Sequence, residues 1–546
     1  MNYVQALTAS KKTPNILKGS ESGAYFRGYV KGPFGRPDRF CDMLNMSGQD
    51  YPLIRTRDKR TKLRTLTKCN GIFGREKLGW VDGTTLYYNG TAVTGSLEDS
   101  KKTFCSMGAY TLILPDKMIF DSVNLTLSSA ENTQAPSGTV TFNPCTYEGA
   151  VLTDYSSALY IKISATNIDT GFTAGDVVTI SGSTIGIDGD YNIENTVTDG
   201  IVILGTMSSA SASQTGGLTV SRSMPDMDYV TECDNRIWGC SSANHEIYAC
   251  KLGDPKNWRS FQGLSTDSYA LTIGSVGDFT GAATHLGYVI FFKENVLHKL
   301  YGNKPSNYQL TNSIVRGVAA GSSQSIVTAQ ETLFYMSPAG AVSYEGAMPQ
   351  SCDVQLGGVK YTDAVCGAAG TRVFWSLKEG ANTYHLFVLD TRTGDWHRED
   401  GIRADSFATV ENDLYMADSS GNLWCLTGEG DAAYLPAQGT RAPEDTLSWR
   451  IDTGDMAMDM ANKRAQKILL RYELTAGSDI SILLRYDGGR EELIRRFRQQ
   501  DKTRLVSLPI IPRRCDRLAL ILEGTGEIRL YAVSVQTQGG TELYGH

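Results

Sequence analysis

The stretch TRVFWSLKEGANTYHLFVLDTRTGDW (371–396) decides the fold. A short apolar strand runs into a turn, a second strand follows, and an aromatic stands on the returning segment. The same pattern recurs in TLYYNGTAV (85–93), YTLILPDKMIFDS (110–122), NRIWGCSSANHEIYAC (235–250), GYVIFFKENVLHKLYG (287–302), ETLFYMSPAGAVSYEG (331–346) and NDLYMADSSGNLWCL (412–426). Each copy is a hairpin too small to bury its own apolar face. Such units become stable by stacking around a common axis, as β-propeller blades do. Two turns in this series can be read residue by residue. In VLDTRTGDW and ADSSGNLW, Asp390 and Asp418 open tight turns, Gly394 and Gly421 supply positive φ, and Trp396 and Trp424 return to pack between blades. These six residues are expected to be structural.

Working outward, residues 1–64 are irregular, with Gly/Pro clusters and then the basic run RTRDKRTKLR (55–64), six positive charges against one negative. That run reads as a solvated face or as a docking arm for another subunit. Residues 65–122 supply the first blades. Residues 123–222 break the series with Ser, Thr and Gly and a strand-turn alternation that predicts a small inserted β-barrel or sandwich. The insert carries nine acidic residues against two basic ones, Lys162 and Arg222. Its balance of −7 equals the net charge of the whole 546-residue chain, so the rest is neutral in sum. Blades resume over 223–430, and 431–446 is a linker. Residues 447–546 alternate strongly and predict an antiparallel β-sandwich. This last unit is arginine-rich, with Arg490, Arg495, Arg496, Arg498, Arg504, Arg513 and Arg514. The fold class expected is therefore all-β: a propeller with an inserted β domain and a C-terminal sandwich.

The chemistry-bearing residues form no recognisable catalytic set. GSVGDFTG (274–281) has the glycines of a phosphate loop but no Gly-Lys-Ser/Thr, and neither a GxSxG elbow nor an HExxH helix occurs. The six histidines are isolated, with His385 and His397 on or beside blade strands. Cys233, Cys240 and Cys250 have no zinc-site spacing, and the eleven cysteines read as mostly buried free thiols. No metal or cofactor is expected. The chain is read as not an enzyme, and Arg55, Arg57, Lys59, Arg60, Arg490, Arg495, Arg496, Arg498, Arg513 and Arg514 are read as subunit-contact residues, since arginine is enriched at interfaces. No apolar run reaches the length of a membrane span or of a signal-peptide core.

A resemblance enters at NWRSFQGLSTDSYALTIGSVGDFTGAATHLGYVIFFKENVLHKLYGNKPSNYQL (257–310) and at FRGYVKGPFGRPDRFCDMLNMSGQDYPLIRTR (26–57). The second stretch carries Asp42–Met43–x–Asn45 and Tyr51–Pro52. Together they resemble a family of bacteriophage tail or stabilisation virion proteins, and the architecture is similar to the tail nozzle (tail tubular) proteins of short-tailed phages. The resemblance implies a structural protein of the virion, made in the bacterial cytoplasm. It implies a homo-oligomeric ring, six copies by analogy, below the portal and adaptor. Double-stranded DNA would pass through without sequence-specific binding, and tail fibres are possible neighbours. The acidic insert would then line or cap the conduit, where a basic wall would brake DNA, or project outward to meet the fibres. Two alternatives stay open: a tail-tip propeller that recognises carbohydrate on the host, and a glycosidase.

Overall fold

The computed structural model describes residues 15–19, 26–32, 38–456 and 463–539. The fold is all-β: a seven-bladed β-propeller with an inserted β domain and a C-terminal β-sandwich, its only described helices being turns of three residues. The chain divides into two compact units, one of Lys68–Phe73 and Gly79–Ala320, the other of Met1–Thr67, Gly74–Leu78 and Gly321–His546.

The first unit holds four antiparallel blades, typified by the fourth: Gly281–His285, Tyr288–Lys293, Val296–Tyr301 and Gln309–Ser313, in that order. Its hydrophobic clusters explain why the hairpins stack. One joins Phe73, Val81, Leu86 and Tyr88 to Ile113 and Phe120 of the next blade, and another joins Trp238, Cys240 and Ile247 to Phe279, Val289 and Phe291. Each buried side chain of this size contributes ~1.5–3 kcal/mol, and these clusters bridge from one blade to the next. The acidic insert is a separate eight-stranded antiparallel sheet system around its own core, in which Val140, Phe142, Ile161, Ile163, Ile180, Ile201 and Val220 are buried.

The second unit holds three blades and the sandwich. Its last blade is completed from far away in the chain. Thr61–Thr65 pairs with Asn422–Cys425, so the sheet runs Ala404–Val410, Asp413–Asp418, Asn422–Cys425, Thr61–Thr65, with Ala442–Pro443 beside it. The sandwich also recruits N-terminal strands. Asp42–Leu44 pairs with Ser448–Asp452, and Ile54–Thr56 pairs with Ile528–Gly539. The segment ahead of the first blade is therefore not a projecting arm in its described part; it is woven into two sheets. The strand Lys463–Tyr486 ties the sandwich together, pairing first with Ile528–Gly539 and then, past an irregularity near 475–478, with Leu518–Thr525.

Candidate assembly surface and charged cleft

Between the strands Ile54–Thr56 and Thr61–Thr65, the basic run turns inward. Arg57 donates to Glu444 Oε2 at 2.6 Å and to Asn45 Oδ1 at 2.8 Å, and Arg60 donates to Glu399 Oε2 at 2.6 Å and to Asp400 Oδ2 at 2.8 Å. Arg57 is 4% and Arg60 2% exposed. A guanidinium taken out of water needs partners for its N–H groups; the end of the sixth blade (Glu399, Asp400) and the linker (Glu444) supply most of them, and Arg60 Nε is left without one. Burial alone pushes the Asp400 and Glu444 carboxyls up, but the neighbouring Arg57 and Arg60 outweigh it and hold both below the usual carboxylate range. The reading of Arg57 and Arg60 as subunit-contact residues is therefore corrected: they brace the inside of their own chain. Nothing in the run announced this, because their carboxylate partners stand more than 330 residues away.

Arg55 is half-buried and clamped, donating to Asp58 Oδ1 at 2.7 Å and to Gln49 Oε1 at 2.7 Å, while Lys59 is exposed. With Arg57, Glu473, Glu527 and Arg529 these residues line a cleft of about 360 Å³. Glu473 accepts from the Tyr531 hydroxyl at 2.9 Å. The Asp58 carboxyl is held low by its hydrogen bond from Arg55.

The other arginines lie on the hairpin of Lys463–Tyr486 and Glu491–Pro509. Glu491–Pro509 pairs with Lys463–Tyr486 alone, so among the described residues its outer edge is bare. At ~3.3 Å per residue its 19 residues make an edge of roughly 60 Å. Such edges are usually short or covered. This one exposes Leu493, Leu505 and, just beyond it, Ile511, which is 89% exposed. Arg490, Arg495, Arg498, Arg504 and Arg514 are also exposed, on and around the strand. Two arginines are committed internally: Arg496 pairs with Asp479, and Arg513 bonds Glu492 at 2.6 Å and lies 4.9 Å over the Tyr486 ring.

The turn residues do local work. Asp390 accepts the Arg392 N–H at 3.0 Å, Gly394 has φ +68°, and the completely buried Trp396 donates to the Cys352 carbonyl at 2.7 Å. Asp418 accepts from the N–H groups of Ser420 at 2.8 Å and Asn422 at 2.9 Å and from the Trp424 indole at 2.8 Å, with Gly421 at φ +80°. His385 bonds Glu379 at 2.9 Å and His397 is buried. No group of three His, Cys, Asp or Glu side chains among the described residues is placed to hold a metal. None of the eleven cysteines is in a disulfide, and nine of them are buried. No described helix is long and apolar enough to cross a membrane.

No family model matches the chain, and no curated protein matches it. Solved structures resemble it distantly. An exo-β-1,3-galactanase from Phanerochaete chrysosporium is 9% identical, with 56% of this chain and 94% of that one covered at a TM-score of 0.22. PorZ, a surface component of the type-IX secretion system of Porphyromonas gingivalis, is 12% identical, with 82% and 75% covered at 0.27. A glycoside hydrolase family 43 arabinoxylan arabinofuranohydrolase from Bacillus subtilis is 8% identical, with 57% and 95% covered at 0.18. At these scores none of them transfers an activity. They do correct the exclusion of an enzyme drawn from missing motifs. A missing P-loop, elbow or zincin motif excludes only those chemistries, and several of the similar structures are glycoside hydrolases.

Proposed function

We infer that the chain is a structural protein of a bacteriophage tail that assembles with copies of itself into a ring, the nozzle below the portal and adaptor. The observation that carries this reading is the bare edge strand Glu491–Pro509, with exposed Leu493 and Leu505 set among exposed arginines. A lone chain gains nothing from leaving such an edge open, and a neighbouring copy can cover it through a heterologous contact that closes a ring. The tail-protein resemblance over 26–57 and 257–310 supports the same reading. Mass photometry of the purified protein, alone and with tailless phage particles, tests it. A discrete ring of about six copies, or capture at the portal vertex, is the expected result. A monomer that ignores the particles overturns it.

A second reading rests on the charged cleft. Asp58, Glu473 and Glu527 line it, and carboxylates are the residues that glycoside hydrolysis employs. Turnover of a polysaccharide panel that is lost in Glu473→Gln or Glu527→Gln would establish that reading.

A further inference from the structure

His298 is completely buried on Val296–Tyr301, directly opposite Asn312 on the edge strand Gln309–Ser313. Its Nδ1 lies 2.6 Å from Asn312 Oδ1, and its Nε2 lies 2.9 Å from Ser275 Oγ. An amide oxygen only accepts, so Nδ1 carries the ring proton. Nε2 is then the acceptor and the Ser275 hydroxyl the donor. Ser275 sits half-buried in the glycine-rich loop that precedes the fourth blade, and a Cβ added at Gly274 or Gly277 would meet nothing within 4 Å. The N–H groups of Ser275 and Val276 have no acceptor among the described residues. Lys293 Nζ bonds the Ser275 carbonyl at 2.7 Å and fixes the loop. Burial above all lowers the His298 pKa; the Asn312 bond opposes this and the Lys293 charge adds to it, so the imidazole is neutral at neutral pH.

The geometry points to an activity beyond the assembly role: Ser275 is a nucleophile, His298 its general base and Asn312 the positioning residue of a site that hydrolyses small acyl esters. The spacing and order of contacts are those such chemistry needs. Ser275 Oγ bonds to the ester carbonyl carbon as its proton passes to His298 Nε2, and the N–H groups of Ser275 and Val276 are the donors left available for the developing oxyanion. The carbon–alkoxy bond breaks and the alcohol leaves with that proton. Water then adds to the acyl carbon, giving a proton to Nε2, and the carboxylic acid departs as Oγ recovers the proton. One ester and one water become one acid and one alcohol.

The full chain, checked for its folded β spectrum by circular dichroism, is treated with an alkyl fluorophosphonate and, separately, with p-nitrophenyl acetate. We expect a phosphonyl adduct on the peptide bearing Ser275 and hydrolysis of the acetate, both lost in Ser275→Ala. Asn312 is exposed, so Asn312→Ala should fold and yet label at least about 10-fold more slowly, because the tautomer is no longer held. Asn312→Asp, which restores an acceptor, should recover the rate. A folded protein with no adduct on Ser275, or with labelling indifferent to Asn312, overturns the assignment.

Discussion

Asp176 and Arg222 meet as a buried ion pair at the root of the inserted domain, each almost without exposure. Arg222 also donates to the Ala130 carbonyl at 3.0 Å, and Asn257 of the third blade accepts the Val177 N–H at 2.8 Å. The insert is thus bolted to the blade from which it springs. Removing one partner strands the other charge in a dry site, at ~3–5 kcal/mol. Asp176→Ala should lower the thermal midpoint of the unit that carries the insert, as followed by differential scanning calorimetry. An unchanged trace would show that the pair contributes nothing.

The Arg60 network should behave in the same way. Arg60→Ala leaves Glu399, which is 5% exposed, without its closest cation. A loss of ~3–5 kcal/mol in denaturant unfolding is expected. Arg60→Lys should recover only part, since an ammonium cannot span Glu399 and Asp400 as a planar fork does.

The same network sets an acid limit. The folded pKa values of Asp400 and Glu444 are lowered by their arginines. Their stabilisation is therefore complete above the unfolded carboxylate range of ~4 and is lost as pH falls through the lowered folded values. His397, held neutral mainly by burial, has a lowered pKa as well. Its contribution is present above ~6.5 and declines as pH drops below that. Unfolding free energy measured from pH 7 to pH 3 should fall in two stages. In Arg60→Ala the lower stage should shrink.

Charge reversal on the bare edge should disrupt assembly without unfolding the subunit. Arg495→Glu, Arg498→Glu and Arg504→Glu together alter exposed side chains, each worth at most ~0.5 kcal/mol of stability. Arg496 is left intact because it pairs with Asp479. Sedimentation should show a monomer with an unchanged melting curve. Normal rings would remove these arginines from the interface.

The propeller is legible in the sequence because its units are local. A hairpin such as 371–396 carries its own turn residues, and all seven quoted segments fall in separate blades. What stayed illegible is non-local. Nothing in RTRDKRTKLR says that Thr61–Thr65 will complete a blade ending near 425, or that carboxylates at 399, 400 and 444 will bury two of its arginines. The acidity of the insert looked like a surface property, yet part of it is turn chemistry. Asp188 accepts from the Ser183 N–H at 2.8 Å, Asp199 from Asn167 at 2.7 Å and Asp154 from Ser156 at 3.0 Å. His298 was isolated along the chain and is not isolated in space.

The strand that seals the last blade leaves the ribosome long before its partner. Thr65 waits for Asn422, and at ~5–20 residues per second of synthesis that interval is roughly 20–70 s. Throughout it, the edge meant for Asn422–Cys425 is open to any other strand, including the same segment on a neighbouring polysome. The nascent chain therefore runs a hazard of mispairing until its last blade closes, and a chain truncated ahead of residue 422 would keep that edge permanently adhesive.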